Sequence, residues 1–116
     1  MRSYDQKMAE KAFECVRPKA KDKEYRSFAL AFPALIHSCG LVQAVAFGEI
    51  KHNGYISDLT AVLNVVEANV NLSNESRTAD IIKYMRLSRR ALSAASWLKR
   101  YVQAFGDDKK DKKEVS

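Results

Sequence analysis

Apolar residues return every three or four positions along most of this chain, which is the period of helices packed on one face. Ser3 and Gln6 have the spacing of a capping box, and Tyr4, Met8, Ala12 and Val16 then fall on one stripe with Ala9 and Phe13 beside it. Pro18 should stop this first helix, because it has no amide donor and clashes with the preceding turn. The charged stretch 19–24 reads as an exposed linker.

The centre, 25–50, is apolar on nearly every face and long enough for two buried helices. Pro33 is expected to start a helix or kink one at Phe32, and Gly40 marks the break between the two. The second should run over 41–51 and end in the turn His52, Asn53, Gly54, Tyr55, whose Asn-Gly pair suits positive φ. Ser57 can cap a further helix in which Ile56, Leu59, Leu63, Val66 and Val70 keep helical spacing. Its valines leave a strand open as the alternative. The segment 71–76 reads as a polar loop.

The clearest pattern comes last, over 77–105. Leu87, Ala91, Ala94, Leu98, Val102 and Phe105 share one face, with Ala95 and Tyr101 on its flank. Ser88 either caps a fresh helix or lies inside a continuous one. Gly106 is expected to end it. The fold class is therefore all-α, a compact single-domain bundle of about five to six helices over 1–106, followed by a disordered charged tail over 107–116.

Charge sharpens this picture through its placement. The net charge is +6. Residues 1–26 carry eight basic and five acidic side chains, and 27–80 carry two and five. Residues 81–106 carry six basic side chains and no acidic one, while the tail holds four of each. Excess charge concentrated in one short stretch points to a polyanionic partner.

Catalytic chemistry finds little support. His37 and His52 are the only histidines, and neither has a metal-ligand or nucleophile partner at useful spacing. No phosphate-cradling glycine loop occurs, and Glu49, Asp58, Glu67, Glu75 and Asp80 stand singly. The expectation is no enzyme activity, no cofactor, no metal and no small-molecule substrate. Cys15 and Cys39 read as buried free thiols in a reducing cytoplasm. The uncharged run 27–48 approaches spanning length, but Pro33, His37, Ser38, Gly40 and Gln43 interrupt it, so no membrane association is expected.

The positive signal is the basic helix. Lys83, Arg86 and Arg90 share a face by their three- and four-residue steps, and Arg89 and Arg100 stand three turns apart on one side with Lys99 adjacent. With no carboxylate in the helix, these cations are expected to remain unpaired and to meet phosphate oxygens. The rival is pairing across the bundle with Glu49, Asp58 or Glu67. A second set, Arg17, Lys19, Lys21, Lys23 and Arg26, extends the possible track, diluted by Asp22 and Glu24. Trp97, Tyr84 and Tyr101 lie beside the cations and either stack on bases or seal the core edge, the latter being the simpler reading.

Two runs, YRSFALAFPALIHSCGLVQAVAF and YMRLSRRALSAASWLKRYVQAF, resemble the small helical subunit of type III-B CRISPR (Cmr) effector complexes. The match lies in Tyr25, Pro33, Gly40, Leu41 and Gln43, then in Trp97, Leu98, Lys99 and Arg100, and covers most of 8–105. At His37, Ser38 and Cys39 the chain departs from the more polar residue expected beside the glycine. The resemblance implies a non-catalytic subunit that stacks head to tail with copies of itself beside other effector-complex subunits. It also implies contact with the backbone of guide RNA and target RNA without base readout. A helical adaptor whose basic face meets an acidic protein is the alternative; a DNA-binding regulator and a hydrolase have weaker claims.

Overall fold

The computed structural model describes the backbone of residues 3–115 and the side chains as far as Gly106. Among them are six α-helices, α1 (Tyr4–Val16), α2 (Lys23–Cys39), α3 (Leu41–Lys51), α4 (Asn53–Asn64), α5 (Leu72–Thr78) and α6 (Ile81–Val115), with no strand. The all-α single bundle is as the periodicity predicts, and the valine-rich segment is helical. The expected tail, 107–116, lies outside the described side chains.

The first helix starts where the capping box places it. The Ser3 hydroxyl accepts from the Gln6 amide, and the Gln6 side chain accepts from the Ser3 amide. Met8, Ala12 and Val16 are buried and Tyr4 is exposed. Pro18 sits in a 3₁₀ turn, Arg17–Lys19, and Asp22 then caps α2 by accepting from the Glu24 and Tyr25 amides. Pro33 lies inside α2 rather than at a helix start. It is buried in line with Ala29, Phe32 and Ile36, so packing of that face offsets the lost hydrogen bond. Gly40, at φ +83°, divides α2 from α3.

Three local expectations are corrected. Asn53 and Gly54 open α4 instead of forming a positive-φ turn, because His52 Nδ1 caps it by accepting from the Tyr55 amide at 3.2 Å. The segment expected as a loop contains α5, since Asn71 accepts from the Asn74 amide while Glu75 Oε2 accepts from Asn71 N–H at 2.7 Å. And α6 runs unbroken through Ser88 and through Gly106, with Asp80 accepting from the Lys83 amide at its start.

α6 is the spine. Leu87, Ala91, Ala94, Ala95, Leu98 and Val102 are completely buried along it. α1 runs beside it in the same direction, with Phe13 against Tyr101 and Phe105. α2 runs antiparallel, Gly40 lying near the Tyr84 hydroxyl and Arg26 against Gly106. α4 closes the core with Tyr55, Leu59, Val62 and Leu63. Among the described residues no helix is long and apolar enough to cross a membrane.

The thiols differ from expectation. Both are free, but Cys39 is exposed at the end of α2, and only Cys15 is half-buried. Burial, then the nearby Asp58 carboxylate, pushes the Cys15 thiol up to about 11. A thiol-reactive chromophore at mildly alkaline pH should therefore titrate Cys39 at once and Cys15 far more slowly, with denaturant equalising the two. Equal fast labelling in the native protein would contradict this environment.

Candidate nucleic-acid interface

The six cations of α6 separate into two groups once the fold is formed. After α4, the segment 65–71 turns back, with Asn69 in the left-handed region and Asn64 accepting from the Val70 amide at 2.8 Å. This turn, together with α5, carries two carboxylates to the flank of α6. Lys83 Nζ lies 2.8 Å from Glu75 Oε1, Arg86 Nε lies 3.5 Å from Glu67 Oε1, and the Arg90 guanidinium donates to the same Glu67 oxygen. Arg90 also covers the Tyr4 ring.

The expectation that all six cations stay unpaired is thus corrected. Lys83, Arg86 and Arg90 are met by acids distant in sequence, Glu67 among the rivals considered and Glu75 not. These are half-exposed links: the cation side chains are 29 to 45 % exposed and both acids 18 %. Each is worth little in stability. The Lys83 ammonium, followed by the Asn71 amide, holds the Glu75 carboxyl below its usual range.

Arg89, Lys99 and Arg100 make no ion pair among the described residues. Arg89 and Arg100 are exposed, and the residues between them on the same line are Ser93 and Ser96. Eleven residues of helix set the two guanidinium bases about 16 Å apart. This outer line of α6 carries cations and hydroxyls and no carboxylate of its own, and Asp5 of α1 borders it beside Ser93, Ser96 and Arg100, accepting from Trp97 Nε1 at 3.5 Å. The Arg100 guanidinium carbon lies over the Trp97 indole, 4.6 Å from the ring centroid.

The second set divides likewise. Lys19 is tied to Asp58 at 2.7 Å and lies over the Tyr25 ring. Arg26 is half-buried, its Nε without a hydrogen-bond partner and its guanidinium so close to Gly106 that a Cβ there would collide with it. Arg17 lies over Phe13 and is exposed, as are Lys21 and Lys23. Because α1 ends and α2 begins beside the end of the α6 stripe, these three stand beyond Arg100 along the molecule.

The aromatics serve the fold. Tyr101 packs between Phe13 and Trp97, and the Tyr84 hydroxyl accepts from the Val42 amide at 3.1 Å. Elsewhere, an apolar groove of about 700 Å³ lies between α2 and α3, formed by Phe28, Phe32, Leu35 and Phe47 with Lys23 and Lys51 at its rim. Ile81, Ile82 and Met85 are exposed on the first turn of α6. His52 is spent as a helix cap, His37 is exposed, and no three His, Cys, Asp or Glu side chains are grouped to hold a metal among the described residues.

Known proteins bear on this geometry. A CRISPR system Cmr subunit from Thermus thermophilus is 40 % identical over 112 residues, covering 90 % of this chain and 97 % of its own length. The crystal structure of a CRISPR-associated protein from the same organism superposes with a TM-score of 0.79 at 40 % identity, over 90 % of this chain and 98 % of that one. The family model for the CRISPR-associated protein Cas_Cmr5 matches residues 4–105, nearly the whole described bundle, and the chain belongs to the Cmr5 family.

Proposed function

We propose that this chain is a non-catalytic small subunit of a type III-B Cmr effector complex in the cytoplasm. It stacks with copies of itself and with other subunits, and it touches the backbone of the target and guide RNA without reading sequence. The observation that carries the RNA contact is the outer line of α6, where Arg89 and Arg100 flank Ser93 and Ser96 and make no ion pair among the described residues, although Asp5 of α1 lies beside Arg100. Arginine forks and hydroxyls suit phosphate oxygens, and base pairing between guide and target already supplies specificity. Lys99 beside Arg100, then Arg17, Lys21 and Lys23 beyond it, extend the positive surface. The name of the 40 % identical relative, a Cmr subunit, supports assembly into such a complex. The α2–α3 groove and the exposed Ile81, Ile82 and Met85 are the surfaces suited to neighbouring subunits.

The test is Arg89→Glu with Arg100→Glu. Binding of a single-stranded RNA oligomer should fall by about tenfold or more at low salt, with helicity by circular dichroism unchanged. Engagement of Arg89, Lys99 and Arg100 predicts a log K against log salt slope of about −2 in the parent protein. Undiminished binding in the double variant would remove these residues from the interface. If the parent shows no affinity for RNA alone or within its complex, the adaptor reading takes over.

A further inference from the structure

The paired cations of α6 have a second possible role. Glu67 and Glu75 reach α6 from outside it, each placed by a shaped segment: the Asn64–Val70 turn for Glu67, and the α5 cap for Glu75. Glu67 receives two guanidinium groups and Glu75 one ammonium. Two carboxylates therefore occupy successive positions along a basic helix flank, where anionic oxygens of a nucleic-acid strand would otherwise sit. Lys83 and Arg86 keep 42 and 45 % of their side-chain surface in solvent, so a competing anion can reach them without unfolding anything. Surface links of this kind are weak and screened by salt, which makes exchange for phosphate feasible.

We infer that Glu67 and Glu75 are intramolecular stand-ins for phosphate, an autoinhibitory contact that withholds Lys83, Arg86 and Arg90 from RNA until a polyanion displaces the two carboxylates. This rests on the proposed RNA contact and adds its regulation. Of the α6 cations, only Arg89, Lys99 and Arg100 engage RNA in the isolated chain. When the assembled complex already holds a strand along α6, the local phosphate concentration is high, and the neighbouring cations become available as a second bank. The arrangement suppresses stray binding of single subunits while allowing stronger grip once the strand is in place.

The experiment compares the parent protein with a Glu67→Gln, Glu75→Gln variant, using a fluorescently labelled 20-nucleotide uridine oligomer over a potassium chloride series. Glutamine keeps an oxygen to accept from the Asn71 amide, so α5 keeps its cap. Removing two negative charges anywhere would raise affinity somewhat, so Glu10→Gln with Glu14→Gln, both exposed on α1, supplies the charge-matched control. The expected result is a salt slope steeper by about −2 for the Glu67/Glu75 variant, as three cations join the interface, with no steepening in the control. Glu67→Gln alone should release Arg86 and Arg90 and give about two-thirds of that change, which preserves the test should the double variant fold poorly. Adding Lys83→Gln, Arg86→Gln and Arg90→Gln to the double variant should restore the parent slope. Parent and variant slopes that coincide, beside salt-dependent parent binding, overturn the autoinhibition and leave the RNA contact standing; absence of binding in every protein overturns both.

Discussion

Leu98→Ala should lower the stability of this bundle by about 3 kcal/mol and its Tm by on the order of 10 °C. Leu98 is completely buried in the middle of α6. Its neighbours on the buried stripe are Ala91, Ala94, Ala95 and Val102, short side chains that bring α1 and α2 close and have no atoms to swing into a void. A cavity there stays open, so the substitution loses both the transfer free energy of the leucine and the contacts of its lining. Ile50, 82 % exposed on α3, provides the contrast, and Ile50→Ala should stay within about 0.5 kcal/mol of the parent. Urea denaturation of both reads the difference. Near-equal midpoints would mean that the α6 seam is packed more loosely than described.

A second large loss is expected at Asp58. Its Oδ2 accepts from the Tyr25 hydroxyl at 2.8 Å and from Lys19 Nζ at 2.7 Å, where α4 meets the start of α2. Asp58→Ala leaves the buried Tyr25 hydroxyl without its acceptor, at a cost of about 2 kcal/mol. Lys19 is about one-third exposed and recovers water, so its share is small. Asp58→Asn retains an oxygen acceptor and should cost roughly half as much. Tyr25→Phe made in the Asp58→Ala background should then be nearly neutral, and a double-mutant cycle by thermal melting checks the coupling. Burial, with the same carboxylate, holds the Tyr25 phenol protonated far beyond its usual range. Removing Asp58 should also bring the Cys15 thiol down and speed its labelling.

The stripes of α1 and α6, the Ser3–Gln6 box and the break at Gly40 are legible in sequence because each rests on local geometry. Helical periodicity needs no knowledge of a partner. Pro33 misleads because its penalty is local while the burial that outweighs it is tertiary. The His52 cap is hard to see in sequence because histidine rarely serves there, and the Asn53–Gly54 pair offers a familiar turn instead. The candidate interface shows the same division. That 81–106 lacks acids is a fact of composition, and the exposed line of Arg89 and Arg100 follows from spacing. That Glu67 and Glu75 come to Lys83, Arg86 and Arg90 depends on the turn at Asn69 and on the presence of α5, neither of which spacing alone foretells.

The start of α3 is secured from far along the chain. Gly40 has no side chain with which to cap it, and the Val42 amide is instead received by Tyr84, forty-two positions later. During synthesis the 41–51 segment therefore leaves the ribosome with its first turn unsecured, and α1 and α2 emerge with no spine to lie against. Little of the molecule can settle before its final third has been translated, so the nascent chain exposes its apolar middle until then, and release of a truncated product would invite aggregation.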